Sequence, residues 1–180
     1  LADEDLLDMF KSGLLTLPAI SVLESCMKPA DPVALFHARR AVEAALGRVL
    51  APQIKSALTD DNMAIMAKTD GGRALLNRLL AMAIAAGDSD AIERAAKQVH
   101  DQNMSLSQGA LAALNHCDHP ARAIALQAFH DRWQDSPLVM EKWFMMESMS
   151  LVSGTVARLG ELMAHPAFDA NNPNKLRSVL

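Results

Sequence analysis

Four consecutive residues, His116-Cys117-Asp118-His119, form the only local cluster of metal-ligating types in the chain. A thiolate between imidazoles suits zinc. On a helix, however, His116 and Cys117 point about 100° apart, and Cys117 extends an apolar stripe through Leu106, Ala110, Ala113 and Leu114. The cluster therefore reads as a buried cysteine beside solvated histidines at a helix end. The zinc arrangement that a single helix can carry is His-Glu-x-x-His, two imidazoles one turn apart with a general base between them. The six histidines are His37, His100, His116, His119, His130 and His165, and none is followed by Glu. No residue of this chain is expected to be catalytic or to hold a metal.

The other candidates are cationic or aromatic. Arg39-Arg40 reads as a solvated helix face, while Lys175 and Arg177 stand in the segment Asn172-Pro-Asn-Lys-Leu-Arg-Ser178. Trp133, Met140, Trp143, Phe144, Met145, Met146 and Met149 crowd one region and could line a hydrophobic pocket. Apolar residues occupy nearly every side of a helix from Leu138 to Met149, which is the pattern of an inner helix, so core is the better reading. Glu141, Lys142 and Glu147 must then find polar partners or a cavity, because a charge buried alone is very costly.

Helices have to position all of these. Asp31-Pro32, Ser136-Pro137 and Asn172-Pro173 each place a capping acceptor before a proline suited to the first helical position. Gly87-Asp88-Ser89 ends one helix and opens the next, with Asp90 and Glu93 spaced as a capping box; Ser105 and Gln108 repeat the device. His119-Pro120 marks another start, capped by Asp118. Ala121, Ile124, Ala125, Ala128, Phe129 and Trp133 make one helical stripe, and no segment alternates long enough for a strand. The expected helices cover 3–11, 18–27, 31–57, 71–87, 89–102, 105–116, 120–134, 137–149 and 153–164, with a last one opening at Pro173. The polar, glycine-terminated stretch 59–72 reads as a loop or hinge.

Composition narrows the class. Ala, Leu and Met number 67 against 19 for Val, Ile and Thr, a ratio that favours helix because unbranched side chains lose little rotamer freedom there. A net charge of -4 without a basic block argues against nucleic acid, and no apolar run approaches a membrane span of roughly 20 residues. Two cysteines are too few for a disulfide framework, which fits a reducing compartment. Short helices of similar length with tight turns should pack as antiparallel pairs, the α-solenoid arrangement, and no strict repeat period is present.

Three segments resemble one family. Asp131-Arg-Trp133 with Leu138-Val-Met-Glu-Lys-Trp-Phe144, Asn172-Pro-Asn-Lys-Leu-Arg-Ser178, and Leu15-Thr-Leu-Pro18 with Asp31-Pro32 and His37-Ala-Arg39 are similar, in the same order, to signatures of the C-terminal helical domain of bacterial aminopeptidase N, a family of zinc metallopeptidases. The family's exopeptidase signature, Gly-Ala-Met-Glu-Asn, is absent. The resemblance implies an all-α, irregular ARM/HEAT-like superhelix of helix pairs, with opening helices over 1–58, the loop 59–72 and stacked pairs over 73–180. Because the family domain continues beyond the Asn-Pro-Asn motif, the fold is expected to be truncated at its C-terminal end.

By the same resemblance, the parent removes N-terminal residues from peptides with zinc held on a catalytic domain of the same polypeptide. The helical domain encloses the active-site cavity and restricts access. Asn172, Lys175 and Arg177 would face that cavity or the domain interface, where a guanidinium could grip a peptide carboxylate or carbonyl. No cofactor is implied for this chain, its partners are the catalytic domain and peptides, and the compartment is the cytoplasm. The alternative is a stand-alone α-solenoid that binds a protein or peptide without enzymatic activity.

Overall fold

Prolines and short acceptor side chains set where the helices begin. In the computed structural model, which describes residues 6–179, twelve helices and no strand occur among the described residues. Asp31 caps α3 (Pro32–Val49) by accepting from the Ala34 amide at 2.9 Å, as its place before Pro32 predicts. Two starts differ in their capping residue. His119, not Asp118, caps α9 (Pro120–Trp133), its Nδ1 accepting from the Ala121 amide, because a proline at the first helical position puts the cap immediately before it. Asn103, not Ser105, caps α8 (Met104–Leu114), accepting from the amides of Ser105 and Leu106. Ser136 precedes α10 (Pro137–Ser148) as expected, but its side chain makes no capping bond.

Two stretches correct the expected pattern. The span 31–57 is not one helix: it breaks at Leu50 into α3 and α4 (Ala51–Ala57), since Pro52 lacks an N–H and its ring crowds the carbonyl four residues earlier. The stretch 59–72 is not a loop. It holds α5 (Asp60–Met66), capped by Thr59, and the start of α6 (Asp70–Ala85), capped by Thr69. In both, a threonine followed by Asp is the helix-start signal that the polar composition conceals.

The chain divides into two compact units, 1–91 and 92–180. In the first, α6 packs against α1 (Asp8–Leu14), α3, α4 and α5, while α2 (Ile20–Ser25) lies on α3. Its core is Leu75, Leu76, Leu79, Leu80 and Met82 of α6 with Ile54 of α4. Gly47 lets α3 approach α6 closely, since a Cβ there would stand 2.2 Å from the Met82 carbonyl oxygen.

In the second unit, α10 packs against α9, α11 (Thr155–Met163) and α12 (Pro173–Val179), and α8 packs against α9. Helix α7 (Ser89–Gln98) begins in the first unit, with Asp88 accepting from the Asp90 and Ala91 amides, and continues into the second. Leu111, Leu114, Leu126, Phe129, Met140, Trp143 and Phe144 are buried. Here α10 departs from the inner-helix expectation, because Leu138 (72%) and Met149 (62%) are exposed; one face is core and the other is open among the described residues.

Candidate functional site

The three residues singled out near the C-terminal end share one helix start and have different surroundings. Asn172 Oδ1 accepts from the amides of Asn174 (3.0 Å) and Lys175 (3.4 Å), so it caps α12. Lys175 Nζ donates to the Ala167 carbonyl at 2.6 Å and ties α12 to the preceding turn. Arg177 is exposed and makes no hydrogen bond or ion pair among the described residues. It borders a shallow groove of about 530 Å³ with Leu138, Glu141, Lys142, Met145 and Asn174. Of the three, Arg177 is the one whose polar atoms remain available to a ligand or a partner.

Elsewhere in the second unit, several charged groups pair with one another. Glu147, buried on α10, accepts from Arg158 Nη2 at 3.0 Å and Arg122 Nη2 at 3.5 Å, and Arg158 also pairs with Glu161. Arg122, Glu147 and Arg158 border a cleft of about 370 Å³ with Trp143, Gln127 and Ser153. Glu147 thus finds the partners that burial demands, and Lys142 finds one in Gln108 Oε1 at 2.9 Å.

Arg39-Arg40 is not simply a solvated face. Arg39 donates to the carbonyls of Pro18 (3.0 Å) and Leu17 (3.4 Å), and Arg78 donates to that of Leu15 at 2.9 Å. Buried Glu43 joins Arg40 to Arg78. The Leu15-Thr-Leu-Pro18 segment and Arg39 therefore belong to one structural clamp. Arg78 and Glu43 are the members that sequence reasoning missed, because their pairing spans 35 residues without a local signature.

His116 and Cys117 come at the end of α8, and His119 is occupied as a cap. No three His, Cys, Asp or Glu side chains converge in a way that could hold a metal ion among the described residues. His130 and His165 do meet, Nε2 to Nε2 at 3.1 Å, against the rings of Trp143 and Phe144. Among the described residues no helix is long and apolar enough to cross a membrane.

Among the described residues the chain is all-helical, with helices packed on their neighbours, which is compatible with an ARM-repeat architecture. The chain belongs to the family described as a domain of unknown function with ARM repeats (DUF3458_C), which matches residues 1–180. It is 28% identical over 185 residues to aminopeptidase N of Escherichia coli and 31% identical over 192 residues to that of Caulobacter vibrioides. In both cases all of this chain aligns, but only 21% of the relative. A crystal structure of Legionella pneumophila aminopeptidase A in complex with aspartic acid superposes with a TM-score of 0.81 at 20% identity, over 99% of this chain and 22% of that one, which shows the shared fold. The chain is a helical domain homologous to part of aminopeptidase N and spans about a fifth of the length of these relatives.

Proposed function

We propose that this chain is the helical domain of a zinc aminopeptidase that removes N-terminal residues from peptides, and that it walls the active-site cavity and limits which peptides enter. The observation that carries this reading is that all of this chain aligns to about a fifth of relatives named aminopeptidase N. Zinc supplies an activated water in such peptidases; in this reading its ligands and the general base lie outside the chain, on a catalytic domain of the same polypeptide. What the chain's own residues contribute is shape and charge. Arg177 offers an unpaired guanidinium to a peptide carboxylate or carbonyl, or to a carboxylate of the catalytic domain, held in place by the cap at Asn172 and the Lys175 tie. The compartment proposed is the cytoplasm, on the family resemblance alone.

The test compares the complete polypeptide with the 180-residue chain. The complete polypeptide should contain stoichiometric zinc and hydrolyse aminoacyl anilides, and the 180-residue chain should do neither. One tightly held zinc in the short chain would overturn the division of labour and return attention to His116 and His119.

A further inference from the structure

His130 lies in the last turn of α9 and His165 just after α11, and the protonation of both rings follows from their partners. A carboxylate only accepts, so Asp131 Oδ1, 3.2 Å from His130 Nδ1, requires a proton on that nitrogen. A neutral His130 then presents a lone pair at Nε2, which must accept from the Nε2–H of His165 at 3.1 Å. That leaves His165 a lone pair at Nδ1, and there the Ala167 amide donates at 3.1 Å. All four ring nitrogens are satisfied only when both rings are neutral. An added proton sets one N–H against another, either between the two rings or between His165 and the Ala167 amide.

The polar chain continues into the next helix, because the Ala167 carbonyl accepts from Lys175. It runs Asp131, His130, His165, Ala167, Lys175, and so joins the end of α9 to the turn before α12 and to α12 itself. Each element packed around the pair brings its own groups. From α9 comes Asp131; α10 brings the uncharged rings of Trp143 and Phe144; α11 brings Arg158, turned to Glu147 and Glu161; α12 brings Lys175. No carboxylate contacts His165, so nothing offsets a proton placed there among the described residues. Burial, with the charge that His130 carries once protonated and the charge on Arg158, holds His165 below the ordinary imidazole range.

We propose that the His130–His165 pair is a proton-operated latch: when neutral it fastens the turn at 164–168 and the start of α12 to α9, and when protonated it releases them. The latch stands without the peptidase reading, although the helix it holds carries Arg177.

The experiment is a histidine and amide NMR titration of the full 180-residue chain. Above about pH 7.5, His130 should be the Nδ1–H tautomer, the less common form of a free imidazole, and His165 the Nε2–H tautomer. As the pair takes up a proton, the protection of the Ala167 amide, its exchange measured against the intrinsic base-catalysed rate at the same pH, should fall about tenfold or more as the turn opens locally. His165→Phe keeps a ring against Trp143 and Phe144 and should abolish that pH dependence. Asp131→Ala, at an exposed position, should shift His130 away from the Nδ1–H form. An Nε2–H tautomer at His130 in the unaltered chain, or an Ala167 protection unchanged through the titration, would overturn the latch, and neither result bears on zinc or peptide hydrolysis.

Discussion

The indole nitrogen of Trp143 donates to the main-chain carbonyl of Leu126, 3.1 Å away, and this bond ties α10 to α9 across the core of the second unit. Trp143 is 4% exposed, and its ring meets Phe144 at 5.3 Å between centroids. Trp143→Ala should therefore cost about 3 to 5 kcal/mol through the cavity and the reduced burial. The indole of Trp133 has the same chemistry without the bond, since its buried nitrogen has no partner among the described residues. Trp143→Phe should then destabilise more than Trp133→Phe, by about 1 kcal/mol for the hydrogen bond. Denaturant melts of the three variants check both statements, and equal costs for the two Phe substitutions would contradict the second.

Glu147 sits between an arginine that is mostly covered and one that is not. Its side chain is 7% exposed, Arg122 is 15% and Arg158 is 41%. Removing the carboxylate leaves a covered guanidinium without its counter-charge, so Glu147→Ala should cost about 3 kcal/mol. Arg158→Ala should cost about 1 kcal/mol or less, because solvent screens an exposed ion pair. Arg122→Ala should fall between them, as it also loses the bond from its Nε to the Asn115 carbonyl at 2.9 Å. Urea unfolding gives the order, and an Arg158 variant worse than the Arg122 variant would refute it.

Acid should weaken the fold in a defined window. His165 is held below its ordinary value of 6.5, first by burial and then by the charges on His130 and Arg158. The unfolded chain therefore binds more protons than the folded one below that value, and stability falls as pH drops through it. Above about pH 6.5 this contribution is fully present. Asp131, held below the usual carboxylate range by hydrogen bonds from His130 and Gln127, extends the loss in the same direction at lower pH. Thermal melts between neutral and mildly acidic pH should show the slope in the unaltered chain and a reduced one in His165→Phe; parallel slopes would remove His165 as its source.

Two glycines in helix interiors should respond in opposite senses. A Cβ at Gly47 would meet the Met82 carbonyl oxygen at 2.2 Å and the Ala86 side chain at 2.9 Å, so Gly47→Ala must push α3 from α6. Its cost should be about 3 kcal/mol. At Gly160 nothing lies within 4 Å of the added methyl, and Gly160→Ala should stabilise by about 0.5 to 1 kcal/mol through the reduced freedom of the unfolded chain. Melting temperatures moving the same way for both would contradict this reading of the α3–α6 packing.

The helical class and most helix starts were legible because they are written locally. Asp31 before Pro32 and Asn172 before Pro173 each need only a few neighbouring residues to act as caps, and both do. Helix α5 also had its signal, Thr59 followed by Asp60 and Asp61, masked by a polar composition that suggested a loop. What the chain did not disclose is which distant groups pair. Glu43 finds Arg78 and His130 finds His165, each over 35 residues, and both choices depend on how helices pack and not on spacing along any one of them. The Leu15-Thr-Leu-Pro18 and Arg39 motifs carried a family resemblance, and their physical role in this fold is the clamp on those backbone carbonyls.

Arg177 tests the proposed function most directly. Its exposure and lack of an intramolecular partner mean that Arg177→Ala should leave the stability of the 180-residue chain within about 0.5 kcal/mol. In the complete polypeptide the same change should lower kcat/KM for peptides more than for single aminoacyl anilides. Only a peptide extends past the scissile bond toward a helical wall, and removing one charge-assisted hydrogen bond there should cost about 1.5 to 3 kcal/mol, or roughly a tenfold to hundredfold change. Arg177→Lys keeps the charge but not the planar fork, so it should restore activity in part if the interaction is bidentate. Equal reductions for both substrate types would assign Arg177 to docking against the catalytic domain. Unchanged kinetics for both would leave the arginine a solvated side chain on α12 and remove it from any account of the cavity.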